Sequence, residues 1–135
     1  MKKFNCILLV DDDPFFNVQH ERLLQQLDIS REVKTAGNGI EALRFIEDFK
    51  KSHSNCAPEI IVTDINMPEM GGLEFLAAYN KLYAANKENV EVIVLTSITN
   101  KTVIHHLENM NVKHFITKPL TEKKLLDFFV YGYNT

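Results

Sequence analysis

The sequence predicts an α/β fold, a single doubly wound sheet of five parallel strands accompanied by five helices. Short apolar runs alternate with stretches of helical periodicity along the whole of the 135-residue chain. These runs are continuously apolar, which is typical of parallel strands covered on both faces. No internal repeat or low-complexity tract is visible. The length suits one domain, so residues 1–135 are interpreted as a single domain.

The first strand and helix are well marked. The apolar run from Ile7 to Val10 ends in an aspartate and predicts a buried strand. Pro14 suits the first turn of the following helix, because its missing N–H removes no hydrogen bond there. One face of that helix carries apolar or weakly polar residues at helical spacing. They are Phe16, His20, Leu23, Leu24 and Leu27.

The second strand and helix are less distinct. Val33 to Ala36 predicts a short strand near an edge of the sheet, and Asn38-Gly39 indicates a turn. A helix follows, and the polar stretch from Lys50 to Pro58 then predicts a loop. The apolar face of this helix is expected to comprise Ile40, Leu43, Ile46 and Phe49.

The second half of the chain continues the alternation. Ile60 to Val62 predicts the third strand, and Gly71-Gly72 precedes a helix with an apolar face of Leu73, Phe75, Leu76, Tyr79 and Leu82. The later elements are a strand at Val92 to Leu95, a helix from Lys101 to Met110, a strand at Phe115-Ile116 and a helix from Thr121 to Tyr131.

The last helix carries two kinds of position. Its core face is expected to comprise Leu125, Leu126, Phe129 and Val130. Phe128 and Tyr131 fall off that face, so they either form a partner surface or pack against the fourth helix.

Composition excludes several classes of protein. The net charge of −3 argues against sequence-independent nucleic-acid binding, which depends on a basic surface. Cys6 and Cys56 have no CxxC neighbour, so no redox or zinc motif is present. The apolar run that ends at Val10 is too short for a signal peptide or a membrane span. A cytoplasmic protein without membrane contact is expected.

Polar side chains follow four of the predicted strands. Asp11-Asp12-Asp13 follows the first strand, Asp64 ends the third, Thr96-Ser97 the fourth, and Lys118-Pro119 comes after the fifth. Ligands of open α/β sheets bind at the carboxyl ends of the strands. Carboxylates gathered there repel one another unless a cation such as Mg²⁺ lies between them. The alternative is that the aspartates only cap helices, which suits Asp13.

An aspartate in such a crevice can act as a nucleophile toward phosphorus and form an aspartyl phosphate. Phosphoryl transfer depends mainly on in-line positioning and charge neutralisation. A metal ion and one lysine supply the neutralising charge, and a hydroxyl such as that of Thr96 supplies a hydrogen-bond donor. The residues at the strand ends therefore favour phosphoryl chemistry.

Five motifs, in order and spacing, resemble those of response-regulator receiver domains. They are ILLVDDDP, AGNGIEAL, IIVTDINMPEMGG, VIVLTS and FITKPL, and the resemblance extends from about Asn5 to Tyr131. It implies a flavodoxin-like fold with strand order 2-1-3-4-5. It also implies that Asp11 and Asp12 bind Mg²⁺ together with Asp64 and the backbone carbonyl of Asn66.

The same resemblance implies roles at the phosphoryl group. Asp64 matches the phosphoacceptor, Thr96 the hydroxyl that engages the phosphoryl group, and Lys118 the lysine of the family, with a cis peptide to Pro119. The implied partners are a histidine kinase or histidine phosphotransfer protein and an unknown downstream protein, with no direct nucleic-acid binding. A dimer through the fourth helix, fifth strand and fifth helix is a further expectation.

Some positions depart from the family pattern. Phe115 replaces a common Tyr, Gly71 replaces a common Asp, and Ser97 occupies a position where a small residue is usual. The loop from Lys50 to Pro58 looks longer than usual. The five histidines lack metal-ligand spacing and are interpreted as surface or core-edge residues. They are His20, His53, His105, His106 and His114.

Two other functions remain open from the sequence. A haloacid-dehalogenase-type phosphatase would use Asp11 as its nucleophile, but Pro14 follows the aspartates and a late acidic pair is missing. A receiver-fold binding module that is not phosphorylated would lack one of the acidic pair, the acceptor or the lysine, and all of these are present. The chain is either a single-domain regulator or part of a larger protein, and in neither case a metabolic enzyme.

Overall fold

The computed structural model describes residues 3–54, 56–83, 90–96 and 101–132, without the side chains of residues 131 and 132. The strands are β1 Phe4–Val10, β2 Ser30–Ala36, β3 Ile60–Asp64, β4 Glu91–Thr96 and β5 His114–Thr117. The helices are α1 Pro14–Leu27, α2 Gly39–Ser52, α3 Gly72–Tyr83, α4 Lys101–Asn109 and α5 Glu122–Leu126. A π-helical segment, Asp127–Gly132, continues α5.

All five strands are parallel, and their order is β2-β1-β3-β4-β5, as the sequence predicts. β2 lies at one edge of the sheet. Val10 pairs with Ala36 on one side and Thr63 on the other, so these strands end at nearly the same level. The chain turns to opposite sides of β1 to form β2 and β3, which opens a crevice at their carboxyl ends.

Two apolar layers cover the sheet because successive side chains of each strand point to opposite faces. Ile7 and Leu9 of β1 belong to the layer that includes Leu24 of α1 and Leu125 of α5. The other layer lies beneath α2, α3 and α4. Because β1 and β3 are buried on both faces, they place rigid backbone directly under the residues that follow them.

α2 is longer than predicted. It begins where the turn is predicted, and there the Asn38 side chain accepts a hydrogen bond from the Glu41 amide and caps the helix. The helix continues to Ser52, so the predicted loop from Lys50 to Pro58 is wrong over its first three residues. The predicted core residue Ile40 is 38% exposed, and Ala42 is buried instead.

A further prediction about an apolar helix face is corrected: Leu82, expected in the core of α3, is 64% exposed. Phe128 is half-buried and packs edge-on against His114 of β5 and Phe129. Ser97 and the side chain of Tyr131 lie outside the described residues.

Both cysteines are free thiols. Cys6 is buried in β1, and burial raises the pKa of its thiol to about 12. Cys56 is exposed. Within the described parts of the chain, no helix combines the length and apolarity needed to cross a membrane.

Candidate functional site

Three carboxylates meet at the carboxyl end of the sheet. Asp11 and Asp12 follow β1, Asp64 ends β3, and each offers an oxygen within 4.8 Å of the others. Asp11 and Asp64 are buried, whereas Asp12 is exposed. The strand register explains this proximity, since β1 and β3 are neighbours that end at nearly the same level.

Lys118 reaches the carboxylates from the loop after β5. Its Nζ donates a hydrogen bond of 2.7 Å to Asp64 Oδ2 and lies 3.7 Å from Asp11 Oδ2. Burial alone lowers the pKa of Lys118. The hydrogen bond to Asp64 and the charges of Asp64 and Asp11 outweigh it, so the pKa is raised above its ordinary value. The ammonium therefore stays charged, and the peptide bond to Pro119 is cis.

The carboxylate of Asp11 is only partly satisfied by protein groups. Its Oδ1 accepts a 2.9 Å hydrogen bond from the Asp13 amide, but its buried Oδ2 accepts none. Burial raises the pKa of Asp11, and the charges of Asp64 and Asp12 add to this effect. A hard cation bound to Oδ2 would stabilise the charged carboxylate and so oppose this rise in pKa. Mg²⁺ is such a cation, and it prefers oxygen ligands. The three carboxylates, with a buried oxygen that accepts no hydrogen bond, thus fit a divalent cation.

Asp64 is held by the loop that follows it. Its Oδ1 accepts a 2.7 Å hydrogen bond from the Ile65 amide. That loop folds back tightly on itself, and the Gly72 amide donates to the Ile65 carbonyl at 2.7 Å. A Cβ on Gly72 would lie 2.2 Å from the Asp64 carbonyl oxygen, and one on Gly71 would lie 2.7 Å from that of Ile65. The glycine at position 71, where the family often has Asp, is therefore required by this loop.

Thr96 and Asn66 belong to segments next to Asp64: Thr96 to the neighbouring strand β4, and Asn66 to the loop after β3. Thr96 ends β4 and pairs with Thr117 in β5, and its carbonyl accepts a 2.8 Å hydrogen bond from the Lys118 amide. Its half-buried side chain thus lies in the strand next to Asp64. Asn66 is exposed and lines a shallow cavity in the loop after β3.

Sequence reasoning missed Asn17, a buried side chain of α1 beneath the site. Its Nδ2 donates to the Asp11 carbonyl at 2.8 Å and to the Ala36 carbonyl at 3.3 Å. It thereby joins the ends of β1 and β2. Asp13, by contrast, caps α1 as expected, accepting a 3.0 Å hydrogen bond from the Phe15 amide. In the sequence Asn17 is a polar residue directly after Phe16, and nothing in the helical pattern marks it as a buried or functional position.

Comparison with known proteins identifies the family. The model of the response regulator receiver domain matches residues 7–129. The chain belongs to this family. Among curated proteins, the receiver domain is 29% identical over 121 residues to the chemotaxis protein CheY of Listeria monocytogenes, covering 90% of this chain and 92% of that protein.

A further relative contains the receiver domain as one part. The protein-glutamate methylesterase/protein-glutamine glutaminase of Methanococcoides burtonii is 33% identical over 114 residues, which cover 83% of this chain but 29% of that enzyme. The match leaves most of the enzyme uncovered. Receiver domains are signalling modules of two-component systems. The enzymatic activity in this relative's name is therefore not assigned to the present chain.

Solved structures agree on the fold. A two-component response regulator from Cytophaga hutchinsonii superposes with a TM-score of 0.81 at 24% identity. The match covers 99% of this chain and 100% of that one. A chain of the CheX-CheY-BeF3-Mg²⁺ complex from Borrelia burgdorferi gives a TM-score of 0.74 at 25% identity, and the match covers 96% of this chain and 89% of that one. The flavodoxin-like fold predicted from the motifs is thereby confirmed.

Proposed function

We propose that this receiver domain is a phosphoacceptor: Asp64 takes a phosphoryl group from a phosphohistidine of a histidine kinase or histidine phosphotransfer protein. The observation that carries this proposal is the 2.7 Å hydrogen bond between Lys118 Nζ and Asp64 Oδ2, beside the carboxylates of Asp11 and Asp12. Such a grouping combines a buried nucleophile with a fixed positive charge. The domain turns over no metabolite, and its chemistry is limited to its own phosphorylation and dephosphorylation.

The transfer is a displacement at phosphorus. A carboxylate oxygen of Asp64 forms the new P–O bond while the P–N bond of the donor histidine breaks, and the electron pair stays on the imidazole nitrogen. The Lys118 ammonium neutralises charge on the phosphoryl oxygens, and the Thr96 hydroxyl donates a hydrogen bond to one of them. The Lys118 ammonium already lies 2.7 Å from Asp64 Oδ2, and Thr96 ends the strand next to β3.

The residues that would hold Mg²⁺ are Asp11, Asp12, Asp64 and the backbone carbonyl of Asn66. The buried Asp11 Oδ2, which accepts no hydrogen bond, supports this assignment. A bound divalent cation supplies positive charge that offsets the carboxylates and the phosphoryl oxygens. With the cation bound, the Asp11 carboxylate would be held both by the cation and by the Asp13 amide.

Phosphorylation of the wild-type protein tests the proposal directly. Acetyl phosphate replaces the protein donor, and we expect one phosphoryl group per chain in the presence of Mg²⁺ and almost none after chelation. Borohydride reduction followed by peptide mass spectrometry should locate the group on Asp64. A label on Asp11 would instead indicate the phosphatase type of chemistry, and no label would indicate a binding module that is not phosphorylated.

The exposed Asp12 provides a test of the metal assignment. We expect Asp12→Asn to weaken Mg²⁺ binding, measured by calorimetry, and to raise the melting temperature of the metal-free protein by about 2–4 °C, because one of three crowded like charges is removed. Asp48→Asn, at an exposed position of α2, is the matched control and should change neither quantity. Unaltered Mg²⁺ affinity in Asp12→Asn would show that the assignment is wrong.

The phosphoryl signal is read, we infer, at the surface formed by α4, β5 and α5, where a downstream protein or a second copy of the chain can bind. Phosphorylation adds about 1.5 to 2 negative charges beside Thr96 and Lys118. Drawing Thr96 toward the phosphoryl group frees space for the half-buried ring of Phe115 to turn inward. Without a hydroxyl, Phe115 is biased by packing alone.

Beryllofluoride, a stable mimic of the phosphoryl group, allows this readout to be measured. We expect NMR chemical-shift changes in the mimic-bound protein to extend from Asp64 to Phe115, His105 and Phe128. To convert nearly all molecules from the inactive to the active conformation, the mimic must stabilise the active one by about 5.5 kcal/mol more than the inactive one. Shifts restricted to the carboxylates and their neighbours would exclude this surface while leaving the phosphorylation site intact.

A further inference from the structure

His20 is a buried histidine of α1 that has no part in the phosphoryl chemistry described above. Only 5% of it is exposed. Its ring lies against Phe16, with the ring centres 4.0 Å apart, and faces the loop between β5 and α5. This is the loop that carries Lys118.

Both ring nitrogens of His20 face backbone carbonyl oxygens. Nδ1 lies 2.7 Å from the Phe16 oxygen, and Nε2 lies 3.3 Å from the Leu120 oxygen. A carbonyl oxygen can only accept a hydrogen bond, and a neutral imidazole has only one N–H. In either neutral form, therefore, one nitrogen lone pair opposes an oxygen lone pair. The imidazolium form donates to both carbonyls and leaves neither contact repulsive.

The loop is fixed on its other side by different groups. Lys124 of α5 donates from Nζ to the Thr117 carbonyl at 2.6 Å and to the Pro119 carbonyl at 2.9 Å. The Lys118 amide binds the end of β4. The contact between His20 and Leu120 ties the same loop to α1, the helix that directly follows Asp11, Asp12 and Asp13. It thus links the lysine to the helix that begins just after the segment carrying Asp11.

We propose that His20 is a positioning residue for Lys118. Its imidazolium form ties the Leu120 carbonyl to α1 and so holds the ammonium group against Asp64 and Asp11, and loss of the ring proton loosens this tie. The inference rests on the proposed function in one respect, since it assumes that the placement of Lys118 matters for phosphorylation.

The charged residues that line the two cavities bordering the ring come from α1, the loop and α5. They are Asp13 at the start of α1, Arg22 within it, Lys118 on the loop and Glu122 of α5.

The protonation state can be measured without any phosphorylation. Long-range ¹H–¹⁵N NMR of the histidine rings, recorded over a pH series, should show protons on both ring nitrogens of His20 at the acidic end of the series. Where the spectra show that one of these protons is lost, the amide signals of Leu120 and Lys118 should shift together with the ring signals. The exposed His105 is the internal control, and changes in its ring signals should leave both amide signals unmoved.

Either of two NMR results would overturn the proposal: a ring that stays neutral throughout, or a titration that leaves both amide signals unmoved. Because no phosphoryl donor is present, failure here is distinct from failure of Asp64 to accept a phosphoryl group.

Variants of His20 then test whether its contact with the Leu120 carbonyl affects the rate of labelling by acetyl phosphate. His20→Leu should lower the labelling rate about three- to tenfold, the range that corresponds to one hydrogen bond. His20→Gln should restore most of it, since the carboxamide donates without titrating, and the ratio of wild-type to His20→Gln rates should fall as pH rises. Leu24→Val, a buried change elsewhere in α1, should reduce stability but not the rate. Equal rates in His20→Leu and Leu24→Val would refute the positioning role.

Discussion

Asp64→Asn is expected to abolish labelling of the protein by acetyl phosphate and Mg²⁺. Asn lacks the anionic oxygen that attacks phosphorus, yet it keeps a carbonyl oxygen for the Ile65 amide, now bonded at 2.7 Å to Asp64 Oδ1. The loop should therefore retain its shape. Intact-protein mass spectrometry measures the loss, which should amount to at least a hundredfold reduction, about 2.7 kcal/mol of transition-state stabilisation.

The control for this variant is Asp48→Asn, which removes an exposed carboxylate from α2 and should label at the wild-type rate. Circular dichroism should show that both variants remain folded. Persistent labelling of Asp64→Asn would show that another carboxylate accepts the phosphoryl group, and Asp11 and Asp12 are the nearest candidates.

Gly72→Ala is expected to destabilise the fold by about 3 kcal/mol, at the upper end of the usual range for overpacking. The new Cβ would lie 2.2 Å from the Asp64 carbonyl oxygen, and backbone atoms held in β3 cannot move aside easily. Alanine stabilises a helix by about 0.5–1 kcal/mol relative to glycine, and this gain is too small to offset the clash. Urea unfolding followed by circular dichroism gives the free energy of unfolding.

Gly37→Ala is the matched control. Its Cβ would approach only the Glu41 side chain, at 3.0 Å from Oε2, and this flexible end can rotate away. We expect a change within about 0.5 kcal/mol, as is usual for surface substitutions. If Gly72→Ala unfolded at the same urea concentration as Gly37→Ala, the close approach of α3 to Asp64 would not be a constraint on the site.

β1, β3 and β4 were predictable because each contains a continuous apolar run that is buried. β2 was less distinct, because it includes exposed charged residues such as Arg31 and Lys34. The C-terminal end of α2 and the exposed side of α3 were not predictable. Lys50 looked like the start of a loop, but its aliphatic stem is buried and its Nζ lies 5.0 Å from the centre of the Tyr83 ring. A long cationic side chain can be buried in this way only when a specific neighbour is present. That neighbour is 33 positions away in the sequence and leaves no local pattern.

The site was predictable to a similar degree. The rule that ligands bind at the carboxyl ends of strands indicated the aspartates and Lys118, and the structure brings Asp11, Asp12 and Asp64 together. Their roles in phosphorylation stay predictions. Asn17 and His20 were not recognised, because their importance depends on carbonyl groups of Ala36 and Leu120 that only the folded chain brings near.

The position of β2 at the edge of the sheet has a consequence for self-association. Its outer residues include the exposed, charged Arg31 and Lys34, which disfavour the docking of another strand. At the opposite edge, β5 offers only 4 residues, His114–Thr117, for pairing. Sheet extension between copies, the route by which parallel sheets form fibrils, is therefore discouraged at both edges. Copies of this protein that meet should do so through helices, where contacts can be reversed.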